Sequence, residues 1–162
     1  LRTGGDFADG ATVFSVLTLR STKILPAGSW SPANVVDEIT LDYDRRHRRR
    51  LRFITASGSE ILLDLAEAIH IRDGDAMAID DGTCVAVRAA PEKLLEIAAA
   101  EADTLSRLAW HLGNRHLAVQ FLPGRLRILH DHVIAEMVLR LGGEVKEIAA
   151  PFDPEPGAYH QH

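Results

Sequence analysis

The feature that most constrains this chain is a change of pattern at Ala89-Ala90-Pro91. Upstream, short apolar runs are broken by turn chemistry at intervals of roughly eight to twelve residues, with little helical period. Downstream, runs with helical spacing alternate with short β-like runs. Strands followed by a mixed pattern indicate an α+β chain. The expected architecture is a β-rich N-terminal domain over residues 1–90, a small sandwich or barrel-like unit. A second domain follows over 91–150, with a Pro-rich tail over 151–162.

In the first part, residues 1–10 read as a flexible leader, and Ala11 to Leu25 as short strands. Val35 to Leu41 reads as a further strand. The clearest local unit is a hairpin in which Arg48 to Thr55 turns through Ala56-Ser57-Gly58-Ser59 and returns along Glu60 to Leu65. Ile69-His70-Ile71, Ala76 to Ile79 and Thr83 to Val87 continue the strand-and-turn pattern. The run Arg45-Arg46-His47-Arg48-Arg49-Arg50-Leu51-Arg52 reads as the solvated side of a strand, with an acidic protein surface or a phosphate as the functional alternative.

In the second part, Leu94, Leu95 and Ile97 read as a strand, with a helix as the alternative because alanine is dense here. Leu105, Leu108, Ala109 and Leu112 mark a helix that Asp103 could cap and Gly113 could stop in a left-handed conformation. Leu117 to Leu122 and Arg125 to Leu129 read as strands about the Pro123-Gly124 turn. Asp131 is a good N-cap for a helix carrying Val133, Ile134, Met137, Val138 and Leu141, closed by Gly142-Gly143. Val145 to Ile148 forms a last strand. The order β-α-β-β-α-β is the ferredoxin-like pattern.

Composition narrows the function. A net charge of −5 argues against a general nucleic-acid binder. No apolar run approaches the roughly 20 residues that span a bilayer, so no membrane role is expected. The one cysteine, Cys84, allows no disulfide within the chain and reads as a buried small hydrophobe. A cytoplasmic location is the simplest expectation.

Six of the eight histidines lie at or after His111, which makes metal the first question. Neutral imidazole suits nickel, copper and zinc. His116 follows the helix stop and precedes an apolar strand, so it is held where a ligand can reach it. One imidazole is not a site, but a two-fold dimer would supply a second copy. His111 lies five residues away, about 140° around a continuous helix, and reads as structural. His130 and His132 flank Asp131 at a helix N-terminus, which favours neutral rings and makes them secondary candidates. His160 and His162 share one side of an extended tail that could close over a metal and let go. His47 lies among arginines and is not expected to bind a cation; His70 reads as structural.

The segment His111-Leu112-Gly113-Asn114-Arg115-His116 with Gln120 resembles the signature of the UreE family of urease accessory proteins. The likeness continues through Pro123-Gly124, His130-Asp131-His132-Val133, Met137, Pro151-Phe152 and Pro154-Glu155-Pro156-Gly157-Ala158-Tyr159. It is looser over 41–88, at Asp42, the arginine run, Gly58, Asp64-Leu65 and Gly74-Asp75. The resemblance implies a nickel metallochaperone, not an enzyme, that dimerises through its C-terminal domain. It implies that His116 of each subunit binds Ni(II) at the interface and that the tail histidines complete the shell. His130 and His132 would form secondary sites, with Cu(II) or Zn(II) as further candidates there. The implied partners are the urease GTPase and the urease apoprotein complex. Ala118 departs from a frequent proline, and two tail histidines leave little capacity for nickel storage.

Two other classes compete. A metal-dependent hydrolase built on the C-terminal histidines would need about three fixed ligands and an open position, and no HExxH pairing is present. An RNA-binding module would need exposed aromatics on its central strands, where Leu117 to Leu129 offers only Phe121.

Overall fold

The structure, a computed structural model, describes residues 18–156. The leader and the tail histidines His160 and His162 lie outside the described residues. Those described form a mixed α and β protein.

The N-terminal half contains β1 (Thr18–Ser21), β2 (Ile24–Leu25), β3 (Val35–Leu41), β4 (Arg50–Ile54), β5 (Glu60–Asp64), β6 (Ala76–Ala78) and β7 (Cys84–Ala89). They make two sheets, ordered β1-β5-β4 and β2-β6-β7-β3. The expected hairpin is the antiparallel β4–β5 pair, with Phe53 opposite Ile61. Alternation along each strand puts one set of side chains inward. Ile39, Leu41, Phe53, Ile61, Leu63, Met77, Val85 and Val87 from both sheets therefore share one buried cluster. Cys84 is buried, as expected. Ile69-His70-Ile71 is not a strand but part of the connection between β5 and β6. Its buried Ile71 donates its N–H to the Arg46 carbonyl in an adjacent loop, not to a strand partner.

The C-terminal half runs β8 (Pro91–Ala98), α1 (Ala102–Asn114), β9 (Gln120–Leu122), β10 (Arg125–Leu129), α2 (His132–Arg140) and β11 (Glu144–Pro151). Its sheet is antiparallel throughout, ordered β11-β8-β10-β9. Leu95 and Ile97 of β8 and Leu126 and Ile128 of β10 meet Leu108 and Leu112 of α1 and Ile134 and Val138 of α2. Both helices thus lie on one sheet face. On the other face Glu96 is paired with Arg127 and Arg125, and the Arg127 hydrogen bond above all holds its carboxyl below the usual range.

Three boundaries differ from expectation. The N-cap of α1 is Glu101, without a side-chain bond, and Asp103 lies inside the first turn. There it complements the helix dipole. Strand β9 begins at Gln120, because Leu117 is taken up in ending α1. Strand β11 runs on to Pro151, which pairs with Pro91, so the tail leaves the sheet only after that point.

The arginine run is not uniformly solvated. Arg48, Arg50 and Arg52 are exposed and pair with Asp44, Asp64 and Glu60. Arg46, by contrast, is fully buried. Its guanidinium donates to the carbonyls of Ile71 and Phe152 and lies 3.4 Å from Asp153. It crosses from the loop after β3 to the chain after β11. Partners over a hundred residues away overrule the solvated reading at this one position.

Candidate metal centre

Helix α1 ends in a Schellman motif. The Leu117 N–H reaches back to the Leu112 carbonyl at 3.3 Å, and the His116 N–H to the Gly113 carbonyl at 2.9 Å. The residue between these closures must adopt the left-handed conformation, and that residue is His116, with φ of 56°. Gly113 was the expected stop, yet it remains helical inside α1. Glycine at the stop would have made His116 a bystander. Instead His116 is the stop.

Helix α2 ends the same way, with Gly142 at the left-handed position. There Gly142 N–H donates to Leu139 O at 3.1 Å and Gly143 N–H to Val138 O at 3.0 Å. Among the described residues His116 is the one non-glycine with positive φ. A left-handed side chain costs roughly 1–2 kcal/mol, and such strain concentrates where a side chain must be aimed. The His116 imidazole is exposed and has no hydrogen-bond partner among the described residues.

The other histidines are placed differently. His111 is half-buried in the last turn of α1, its ring edge-on to Trp110 with centroids 5.0 Å apart. His130 follows β10, and its Nε2 lies 3.2 Å from Glu147 Oε1 of β11. His132 is exposed at the first position of α2. Asp131 caps that helix as expected, accepting from Val133 and Ile134 N–H at 2.8 and 3.1 Å. Antiparallel topology brings the start of β9 and the ends of β10 and β11 to one end of the sheet. His116, His130, His132 and the root of the tail therefore share that end. Among the described residues no three His, Cys, Asp or Glu side chains converge as a metal-holding group.

The same half carries exposed apolar side chains. Trp110 is 65% and Phe121 53% exposed, and Phe121 helps line a cleft of about 320 Å³ with Leu105, Ala109 and Leu122.

These residues sit in regions that match known proteins. Residues 92–162 match the family model for the UreE urease accessory protein C-terminal domain, and residues 21–90 match that for the UreE N-terminal domain. The chain belongs to the UreE family. A relative from Beijerinckia indica subsp. indica, described as urease accessory protein UreE, is 50% identical over 142 residues, covering 87% of this chain and 81% of the relative. One of that description from Bradyrhizobium sp. (strain ORS 278) is 52% identical over 141 residues, covering 87% and 67%. Another from Rhodobacter capsulatus is 46% identical over 140 residues, covering 86% of each.

In this UreE-family chain the route to the tail is described as far as Pro156. The Asp153 N–H points to Gln120 Oε1 at 3.4 Å, and the Glu155 N–H donates to the Val119 carbonyl at 3.0 Å. The tail root thus runs beside the segment that leads away from His116. Sequence reasoning did not single out Arg46, Asp153 or Glu147. The Pro151-to-Tyr159 likeness was the signal nearest to Asp153; for the other two, only contacts distant in sequence identify them.

His70, expected to be structural, bonds through Nε2 to Asp153 Oδ1 at 2.9 Å. Burial pushes its pKa down, and the Arg46 charge adds to this, while the Asp153 bond opposes it. His47, which lies edge-on to His70, is likewise part of this junction.

Proposed function

We propose that this chain is a nickel carrier for urease assembly, with His116 as the central ligand. The observation that carries this reading is the left-handed His116, whose exposed imidazole is presented at a backbone cost glycine would avoid. One imidazole gains a second through a two-fold homodimer. The exposed Trp110 and Phe121 of the same half supply apolar surface for a contact between chains. The chain divides near residue 90 into a β domain and a ferredoxin-like domain, and the second carries the interface.

The tail histidines His160 and His162 complete the shell. Four extended residues from Pro156 reach about 13–14 Å, starting from a root already bonded beside Val119. A ligand on such a strap leaves first, opening coordination positions for an acceptor. His130 and His132 form secondary sites able to take nickel, Cu(II) or Zn(II). The acceptors are the urease GTPase and the urease apoprotein complex in the cytoplasm. The chain delivers its cargo without catalysing a reaction.

Nickel titration of the parent and of His116→Ala tests this. The parent is expected to bind one tight ion per pair of chains, and the variant to lose it. Unchanged tight stoichiometry in the variant would remove His116 from the centre.

A further inference from the structure

We propose that the outer face of the β1-β5-β4 sheet is a docking surface for an acidic protein surface in which two carboxylates flank an apolar side chain. This face uses no residue of the metal centre and does not rest on the carrier reading. Alternation along the strands assigns its two sides. Phe53, Ile61 and Leu63 point into the buried cluster. Arg20 of β1, Glu60, Leu62 and Asp64 of β5, and Arg50, Arg52 and Ile54 of β4 therefore point the other way. Register sets them in rows, with Arg20 and Arg52 both opposite Leu62, one on each side. Two strand spacings put those arginine Cα atoms roughly 9.5 Å apart.

The charges on this face are layered. Arg52 pairs with Glu60 at 2.7 Å, while Arg20 and Arg50 share Asp64 at 2.9 and 3.7 Å. The three arginine side chains are between 57% and 70% exposed, against 21% and 24% for the carboxylates. The carboxylates thus form a floor and the guanidiniums an outer layer, three cations over two anions. The Arg20 hydrogen bond above all holds the Asp64 carboxyl below its usual range, which keeps that part of the floor charged. A guanidinium has more donors than these pairs use, and the remainder face outward. Exposed ion pairs contribute little to stability, so holding the fold does not account for the layering. Ile54 is exposed and Leu62 half-buried, so apolar surface lies among the guanidiniums. Planar forks held from below suit carboxylates, and Leu62 suits an apolar side chain between them. A sugar–phosphate backbone offers nothing to Leu62 or Ile54, and the net charge of −5 repels a polyanion. An acidic protein meets both the charge and the apolar row.

A helix with Glu, Leu and Glu at i, i+4 and i+7 matches the row, since seven residues span roughly 10.5 Å. A fluorescent peptide of that pattern is the probe, its binding to the full chain followed by anisotropy at low salt without metal. The parent is expected to bind it more tightly than a scrambled peptide of the same composition. Arg20→Gln combined with Arg52→Gln is expected to bind about tenfold more weakly, the scale of two solvent-facing ion pairs. Arg88→Gln combined with Arg140→Gln removes the same charge from exposed pairs elsewhere and should bind like the parent. All four side chains are exposed, so both variants are expected to keep the parent Tm. No preference for the patterned peptide, or equal loss in the two variants, would overturn the docking surface. So would a DNA duplex that binds more tightly than the peptide and is lost with Arg20 and Arg52, since the face would then be a nucleic-acid surface.

Discussion

His116 at the end of α1 occupies the same left-handed position that Gly142 occupies at the end of α2. One helix stop carries the residue that relieves strain, and the other carries a potential ligand. His116→Gly should therefore stabilise the fold by about 1 kcal/mol, raising Tm by about 2–4 °C for a chain of this size. The same change should abolish tight nickel binding. Thermal denaturation with and without nickel checks both; a lower Tm in the metal-free variant would count against the strain argument.

Gly143, one residue past that second stop, is needed for a different reason. A Cβ there would lie 2.7 Å from both Leu108 Cδ1 and Val138 Cγ1. These atoms belong to the seam between the helices. Gly143→Ala should cost about 1–3 kcal/mol, the range for overpacking. Denaturant unfolding would show a lower midpoint with an unchanged slope.

Asp131 caps α2 between His130 and His132. Asp131→Ala should cost about 1 kcal/mol and fray the turn that places His132. Weaker binding of a second metal equivalent, with the first unchanged, is the expected titration result. Equal loss of both equivalents would contradict a separate secondary site.

The order of elements, the Asp131 cap and the Gly142-Gly143 stop were legible because each depends on neighbours in sequence. The identity of the stop after α1 was not. Gly113 has the right chemistry, but Leu108, Leu112 and Leu117 all pack into the core, and that packing carries the helix one residue past Gly113 before the chain turns. The buried Arg46 was also hidden. Its neighbours in the run are exposed, and its partners Phe152 and Asp153 are separated from it by 106 and 107 residues. Local pattern carries no information about such pairs. The place of His116 just after a helix was legible, while its left-handed backbone was not.

The junction around Asp153 should make stability depend on pH. His70 has its pKa lowered in the fold, by burial first and then by Arg46 and His47. Asp153 faces it, and Arg72 and Tyr43 lie alongside. The unfolded chain then takes up the proton more readily than the folded one. The contribution is present above the ordinary histidine value of about 6.5 and is lost as pH falls through the lower folded value. Tm measured from about pH 7.5 to 5 should fall more steeply in the parent than in His70→Asn. Parallel curves would remove His70 as the cause.

The most direct measurement is a crystal of the chain grown with nickel, with the ion located by its anomalous scattering. The ion is predicted to lie on a two-fold axis between two His116 imidazoles, with tail histidine density completing the shell. Nickel held within one chain at His130 and His132, with the His116 pair empty, would contradict a shared centre.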